Sequence, residues 1–151
     1  MMLGNQTILV VGGSFGGIKT VWDLRNKLPR RHKIILMSDK PETIIRASFP
    51  RVVFEDLPLD ELVLDLKSNF EGTGIEFKED RLIGIDQPND QVLGDRERYH
   101  FDYLVLATGS RHAYELIPGS YEHAYSICDP SRIMETKAAV QEFRKGIFFS
   151  N

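Results

Sequence analysis

Hydrophobic residues near the start of the chain form two short continuous runs with a helical pattern between them. The runs are Thr7 to Val11 and Lys33 to Met37, and each has the length of a strand. A strand that is apolar throughout is typical of a parallel sheet covered on both faces. Four apolar residues between the runs recur at roughly helical spacing: Ile18, Val21, Trp22 and Leu28. This helix is expected to start near Gly16 and to end at Pro29, which predicts a βαβ unit.

The next part of the chain predicts one amphipathic helix after an irregular segment. Pro41 to Glu55 contains two prolines and no clean period, so we interpret it as an extended loop or a broken helix. Five apolar residues then fall at helical spacing: Leu59, Leu62, Val63, Leu66 and Phe70. Gly72 and Gly74 are expected to close this helix.

Short strands separated by turn signals follow this helix. Ile75 to Phe77 is predicted to be a third strand. Three segments bounded by a Gln-Pro-Asn-Asp turn and a Gly-Asp turn predict an antiparallel meander: Arg81 to Asp86, Gln91 to Leu93 and Arg98 to Phe101. Tyr103 to Ala107 is predicted to return to the parallel sheet.

The last part of the chain predicts a helix and the beginning of another strand. Asp129 and Pro130 have the residue types of an N-cap and of a first helical position. Three apolar residues of this helix are expected to face inward: Ile133, Val140 and Phe143. Gly146 is expected to end it, and Ile147 to Phe149 to begin a new strand. Because a new strand after a helix resembles the start of another unit, we expect the chain to be the N-terminal portion of a longer protein.

Composition places the chain among ordinary globular domains. It has 151 residues, of which 42% are hydrophobic and 27% charged, with a net charge of −3. The slight acidity and the lack of a Lys/Arg block argue against nucleic-acid binding. No apolar run reaches the length of a membrane span, and no signal peptide precedes the first strand. The single cysteine, Cys128, excludes an internal disulfide and fits a reducing cytoplasm.

A glycine-rich turn joins the first strand to the first helix, at Gly12 to Gly17. Against the pattern G-x-G-x-x-G, Gly12 and Gly17 match the first and third glycines, and Ser14 stands in place of the second. In such a turn the helix directs its free N–H groups and its positive dipole end at the phosphates of a dinucleotide. The alternative is a tight strand–helix turn that binds nothing.

Two further segments lie where open α/β sheets place ligands. Ser38 and Asp39 follow the second strand, where an acidic side chain can accept hydrogen bonds from a ribose hydroxyl. Which of the two faces the ribose is left open, and a polar turn residue is the alternative. Ala107 to Gly109 ends another strand, and its small residues allow a cofactor to pass close to the backbone; an ordinary strand end is the alternative.

Cys128 is the candidate for redox chemistry. It lies just before a predicted helix N-terminus, where the helix dipole favours a thiolate. An inert, half-buried cysteine is the alternative interpretation. The histidines, at positions 32, 100, 112 and 123, show no metal-ligand spacing, and no metal site is predicted.

These residues together resemble a family of flavoproteins. The segments occur in the order seen in FAD-dependent pyridine nucleotide–disulfide oxidoreductases, and they are most similar to sulfide:quinone oxidoreductases, with type II NADH dehydrogenases next. They are Gly12–Gly17, Leu36–Pro41, His100–Ser110, Ile117–Ser120 and Ser126–Cys128. The last of these favours the sulfide enzymes. The resemblance covers essentially the whole chain but only the N-terminal part of the usual family chain. No Cys-x4-Cys pair is present, so the glutathione reductase mechanism is excluded for this chain.

The resemblance implies a Rossmann-type α/β FAD-binding domain over residues 1–151, with an inserted antiparallel meander. The cofactor contacts that it implies are Gly12, Gly13, Ser14, Phe15, Gly16, Gly17, Ser38, Asp39, Arg46, Leu82, Ala107, Thr108 and Gly109. The loop around Arg46 would approach the isoalloxazine ring, and Cys128 matches one cysteine of the family.

The resemblance also implies an activity and a location for the full-length protein. Electrons would pass from sulfide through FAD to quinone, in the cytoplasm or at the inner face of the cell membrane. Membrane contact would be peripheral and made by a C-terminal part beyond this chain, and a homo-oligomer is possible. The alternatives are an NADH-oxidising relative and a non-catalytic nucleotide-binding fragment. This chain alone is expected to be catalytically incomplete.

Overall fold

The computed structural model describes residues 4–143, which form two compact units. The first contains residues 4–43 and 64–110, and the second contains residues 44–63 and 111–143. The strands are β1 (Thr7–Val11), β2 (Lys33–Ser38), β3 (Glu42–Ile44), β4 (Val63–Asp65), β5 (Ile75–Glu79), β6 (Leu82–Asp86), β7 (Gln91–Gly94), β8 (Arg98–His100) and β9 (Tyr103–Leu106). The α-helices are α1 (Phe15–Lys27), α2 (Phe49–Phe54), α3 (Leu66–Phe70), α4 (Ser120–His123) and α5 (Ile133–Glu142). Short 3-10 helices lie at Arg46–Ser48, Leu59–Leu62, Gln87–Asn89 and Tyr114–Leu116.

A parallel four-stranded sheet is the centre of the first unit. Its strand order is β5-β2-β1-β9, and every neighbouring pair is parallel. The pairing of Ile8 with both Ile34 and Tyr103 sets the register on either side of β1. The predicted α/β fold with a parallel sheet is therefore confirmed.

Alternate residues of β1 pack on opposite faces of this sheet, which explains why the strand is apolar throughout. Ile8 and Val10 belong to a buried cluster with residues of α1 and α3. Leu9 and Val11 belong to a second cluster with Val92 of β7 and residues of β2 and β8. Burial on both faces removes the polar alternation that a half-exposed strand would show.

The predicted meander is also confirmed. Strands β6, β7 and β8 form an antiparallel sheet in that order. Asp90 ends the turn between β6 and β7 with a φ of 51°, a left-handed conformation that Asp tolerates better than most residues.

The single helix predicted over Leu59 to Phe70 is wrong. A 3-10 helix covers Leu59–Leu62, β4 follows at Val63–Asp65, and α3 begins only at Leu66. Strand β4 pairs with β3, and this pairing takes the backbone out of the helical conformation. The apolar residues at this spacing instead pack in two separate cores: Leu62 packs in the second unit, and Leu66 and Phe70 pack in the first. Gly72 and Gly74 follow α3 with positive φ values, as expected.

The predicted start of the last helix is also wrong. Asp129 and Pro130 precede α5, which begins at Ile133 with Arg132 in the N-cap position. The Asp129 carboxylate instead accepts hydrogen bonds from the Ser131 backbone and hydroxyl groups, at 2.9 and 2.6 Å, and so forms a turn before the helix. Ile133 is buried as predicted, but Phe143 follows the helix end and is exposed.

The remaining sequence predictions for this end fall on Gly146 and on Ile147 to Phe149. These residues lie outside the described part of the chain. Within residues 4–143, no helix combines the length and apolar character that crossing a membrane requires.

Candidate dinucleotide-binding site

The carboxyl ends of three parallel strands bring the predicted cofactor residues to one edge of the sheet. Gly12 follows β1, Ser38 ends β2 with Asp39 directly after it, and Ala107 follows β9. The Gly12 N–H donates to the Met37 carbonyl and the Ala107 N–H donates to the Val11 carbonyl, each at 2.8 Å. The three segments are therefore fixed to one another by the sheet itself.

The strand order reverses direction between β1 and β9. From β1 the chain builds outward through β2 to β5, and it then returns to the other side of β1 with β9. Ligands of open α/β sheets bind in the crevice at such a reversal, outside the carboxyl ends of the strands. Gly12 and Ala107 lie on the two sides of this crevice.

Two glycines are required by the packing of the turn. Gly12 has a φ of 127°, and a Cβ there would overlap the Ala107 carbonyl. A Cβ on Gly17 would overlap the Gly12 carbonyl oxygen. Any larger residue at either position would force the strand, turn and helix apart, so these glycines are structural whether or not a ligand binds.

The N-terminus of α1 is open. Ser14 is the N-cap residue, its side chain makes no capping hydrogen bond, and the first turn contains no acidic residue. Ser14, Phe15 and Gly16 are exposed, and Phe15 is 81% exposed. The first N–H groups of a helix have no partner within it, so this end is suited to an anion.

The structure distinguishes between the two polar residues at the end of β2. Ser38 is buried beneath the glycine turn, where a Cβ on Gly13 would overlap its side chain. Asp39 is exposed. Of the two side chains, Asp39 is the one that a ligand can reach directly.

A polar cleft adjoins Asp39 and contains residues that the sequence did not single out. Its volume is about 310 Å³. The residues that line it are Asp39, Glu79, Asp80, Arg81, Asp95 and Arg96. Their positions follow from the topology, because β5 is parallel to β2 and ends at the same edge. The sequence signal that could have indicated these cleft residues is the polar cluster after the predicted third strand.

Asp80 is a buried carboxylate that connects the sheet to the meander. It accepts hydrogen bonds from the Tyr99 hydroxyl at 2.9 Å and from the N–H groups of Arg81, Arg96 and Glu97 at 2.8, 3.1 and 3.2 Å. Burial alone would raise the pKa of Asp80, but these hydrogen bonds to the carboxylate outweigh it and lower the pKa below its ordinary value. Burial, followed by the bonds to Asp80 and Glu97, raises the pKa of Tyr99. The wall of the cleft therefore holds a fixed negative charge.

The other predicted contacts in the first unit differ in accessibility. Thr108 and Gly109 are exposed, and Gly109 has a φ of 75° with open space where a Cβ would stand. Leu82 is half-buried and packs against the cluster that contains Val92 and Tyr99.

Two candidate residues belong to the second unit. Arg46 is exposed at the start of a 3-10 helix, and Cys128 is exposed in the turn before α5. Cys128 precedes Ile133, the first residue of α5, by five positions. Because a helix dipole acts only near its terminal turn, the expected thiolate stabilisation by this helix is not supported by the geometry.

Hydrogen bonds hold the turn that carries Cys128. The Asp129 N–H donates to Ser126 Oγ at 3.2 Å, and Thr136 Oγ1 donates to the Ser126 carbonyl at 2.8 Å. The Tyr114 hydroxyl donates to the Asp129 carboxylate at 2.8 Å. The thiol is thus presented on an ordered turn.

In the described part of the chain, no group of three or more His, Cys, Asp or Glu residues could hold a metal ion.

Comparison with known protein families accounts for this arrangement. The family model for pyridine nucleotide-disulphide oxidoreductases matches residues 6–142. The chain belongs to this family. The family match includes the glycine turn, the end of β2 and the end of β9.

Individual proteins are similar over almost the whole chain. A sulfide-quinone reductase of Aquifex aeolicus is 31% identical over 136 residues, which are 89% of this chain and 31% of that protein. The crystal structure of the Aquifex aeolicus sulfide:quinone oxidoreductase superposes with a TM-score of 0.79 at 30% identity, covering 91% of this chain and 32% of that one. An alternative NAD(P)H-ubiquinone oxidoreductase of Arabidopsis thaliana is 22% identical, over 92% of this chain and 31% of that protein. The chain therefore spans less than a third of the length of these curated relatives.

Proposed function

We propose that this chain is the FAD-binding part of a flavoprotein oxidoreductase. The observation that carries the proposal is the open, glycine-rich N-terminus of α1 at the reversal of strand order. There the exposed Ser14 and Gly16 leave the first helical N–H groups accessible. A pyrophosphate fits this place because its negative charge complements the helix dipole and its oxygens accept from free N–H groups.

The residues around the turn fit the rest of a dinucleotide. Asp39 is placed to accept hydrogen bonds from the ribose, and the adjoining cleft of about 310 Å³ offers room for the adenosine end. Thr108 and Gly109 offer an exposed strand end on the other side of Gly12. FAD, when bound, would supply the redox chemistry, and these residues would hold and orient it. We also propose Arg46 and Leu82 as contacts of the bound FAD.

We propose sulfide as the electron donor and quinone as the acceptor of the full-length protein. The support is the 31% identity to a sulfide-quinone reductase and the exposed thiol of Cys128 on its ordered turn. We place this protein in the cytoplasm or peripherally at the inner face of the cell membrane. NADH is the second candidate donor, supported by the similarity to an NAD(P)H-ubiquinone oxidoreductase. A non-catalytic nucleotide-binding fragment is the third candidate.

Gly16→Glu is the variant that tests the cofactor site. Gly16 is exposed, lacks a positive φ, and has only the Ala107 Cβ near the place of a Cβ, at 3.7 Å. A carboxylate in the first helical turn should stabilise α1 by about 0.5 kcal/mol but repel the pyrophosphate. We expect FAD binding to weaken about tenfold or more while the free energy of unfolding rises.

The measurement is the flavin absorption spectrum of the purified chain after addition of FAD and desalting, with urea unfolding alongside. Gly16→Gln is the matched control, because it adds a side chain of nearly the same size without the charge. Equal FAD retention by the wild type and the Gly16→Glu variant would contradict the proposed site. Reduction of the bound flavin by sulfide, compared with NADH, then separates the two proposed donors.

A further inference from the structure

A second cleft lies at the opposite end of β2 from Asp39. Its volume is about 390 Å³, and its polar lining comes from Arg30, Arg31, His32, Lys33 and Glu76. Lys33 begins β2 and Ser38 ends it, so the two ends of the strand lie roughly 17 Å apart. This cleft is therefore separate from the proposed FAD site.

The lining of this cleft is basic although the chain carries a net charge of −3. Three of its side chains are cationic and one is a carboxylate. That carboxylate, Glu76, is already neutralised by Lys33 at 2.8 Å and Lys78 at 3.2 Å. The hydrogen bond from Lys33, opposed by burial and assisted by Lys78, lowers the pKa of Glu76 and keeps it charged. Among residues 4–143, neither Arg30 nor Arg31 forms a hydrogen bond or an ion pair.

The C-terminus of α1 would be the nearest natural partner for these two guanidinium groups, but Arg25 occupies it. Arg25 donates to the carbonyls of Leu28 and Pro29 at 2.9 and 2.8 Å. It also donates to the carbonyls of His32 and Gly74 at 3.2 and 3.4 Å. With these carbonyls satisfied, Arg30 and Arg31 are left for another acceptor.

His32 adds a buried polar group to the same cleft. The residue is only 6% exposed, and its Nδ1 atom is buried without a hydrogen-bond partner. The backbone of His32 is satisfied, since its N–H donates to Pro29 and its carbonyl accepts from Arg25. Nearly all buried polar atoms in folded proteins have a partner, and an oxygen of a ligand bound beside Arg30 and Arg31 would supply one for this imidazole nitrogen.

We infer that this cleft binds a phosphate group, carried either by a soluble phosphorylated molecule or by an anionic lipid headgroup. Arginine pairs bind phosphate oxygens through two parallel N–H donors, which explains the use of Arg30 and Arg31 rather than lysines alone. Gly74 keeps space for this arrangement, because a Cβ there would lie only 3.1 Å from Arg30 Nη1. The inference is independent of the FAD proposal.

The test is an NMR titration of the isotope-labelled 151-residue chain with inorganic phosphate, at ionic strength held constant with chloride. We expect saturable shifts of the His32 imidazole and of the amides of residues 30–33 and 74–76. In the double variant Arg30→Gln/Arg31→Gln the affinity should fall about tenfold or more, through loss of the charge-assisted hydrogen bonds. Arg98→Gln is the matched control, because Arg98 is an exposed arginine on β8.

Cosedimentation with vesicles separates the two sources of phosphate. Binding to phosphatidylglycerol vesicles but not to phosphatidylcholine vesicles, lost in the double variant, would assign the cleft to lipid headgroups. Phosphate shifts without vesicle binding would assign it to soluble phosphorylated molecules. Shifts confined to Gly12–Gly17, or shifts equal in the double variant and the wild type, would overturn the inference.

Discussion

At the scale of single residues, Asp80 connects the parallel sheet of the first unit to the antiparallel meander. Its carboxylate accepts hydrogen bonds from the Tyr99 hydroxyl on β8, from the Arg81 N–H before β6 and from the Arg96 N–H in the turn between β7 and β8. A buried carboxylate satisfied in this way is stable as the anion, and removing it leaves several donors without a partner. Asp80 thereby fixes the position of the cleft wall next to Asp39.

We predict that Asp80→Asn lowers the free energy of unfolding at pH 7 by about 2 kcal/mol, because the amide places a donor among donors. The lowered pKa of Asp80 means that its stabilising effect is present above the pKa of an unfolded aspartate, about 3.9. The effect is lost as the pH falls below that value through the folded-state pKa. Urea unfolding at a series of pH values from 7 down to 3 measures both the loss of stability at pH 7 and its dependence on pH.

The control for this prediction is Asp60→Asn, which changes an exposed aspartate of the second unit. We expect its free energy of unfolding at pH 7 to lie within about 0.5 kcal/mol of the wild-type value, as for most exposed substitutions. A difference between the wild type and Asp80→Asn that stays constant from pH 7 to pH 3 would contradict the assigned role.

The sequence could identify the glycines and Asp39 but not Asp80. Gly12 and Gly17 stand in a recognisable spacing because the backbone itself requires them there. Asp80 follows a strand in a polar segment, where an exposed aspartate is the ordinary outcome. Its burial depends on donors from Arg96 and Tyr99, which are 16 and 19 residues away and meet it only after the meander has formed.

At the scale of elements, the end of α1 is held by one side chain. Arg25 donates to four carbonyls that belong to the helix end, the following turn and the segment before β5. Basic side chains near a helix C-terminus satisfy carbonyls that the helix leaves unpaired. Arg25 therefore ties α1 to two neighbouring strands as well as capping it.

We predict that Arg25→Gln lowers the free energy of unfolding by about 1–2 kcal/mol, since the shorter amide cannot reach all four carbonyls. Chemical denaturation at neutral pH is the measurement. Lys27→Gln in the same final turn of α1 is the control and should cost less than about 0.5 kcal/mol. Equal losses in the two variants would show that only the helix dipole matters at this end.

Elements with local signals could be predicted from the sequence, and those decided by long-range pairing could not. β1, α1, β2 and the meander strands have runs or turns that agree with their structure. The helix predicted through Val63 failed because β4 pairs with β3, about twenty residues earlier, and no local pattern records that partner. The same limit applies to Asp129. Its residue type fits a helix N-cap, but its carboxylate instead accepts a hydrogen bond from Ser131 in the turn before α5.

At the scale of the whole molecule, β9 forms one end of the parallel sheet. It pairs only with β1 among the described strands, and Tyr103 and Leu106 are each 54% exposed. An edge strand with exposed apolar side chains is a template for pairing with another chain. The sequence alone predicts a strand that ends in Ala107 to Gly109, but no local pattern shows that this strand lies at an edge of the sheet.

We predict that the chain self-associates through β9 as its concentration rises, and that Tyr103→Lys weakens the association by placing a charge on the edge. Sedimentation velocity over a range of concentrations is the measurement. Tyr125→Lys is the control, because Tyr125 is also exposed, at 62%, but lies outside the sheet. A wild-type chain that stays monomeric at all concentrations would refute the prediction.

The place of β9 beside β1 also governs how the protein can fold. The Thr7 N–H donates to the Asp102 carboxylate at 2.7 Å across 95 residues of sequence, so the sheet is completed only by a very long chain closure. During synthesis, β1 and β2 emerge early and must wait for β9 with one edge of β1 uncovered. Contacts of such large sequence separation slow folding and prolong the exposure of unpaired strands. The crevice beside Gly12 consequently lacks one of its two sides until β9 has joined the sheet.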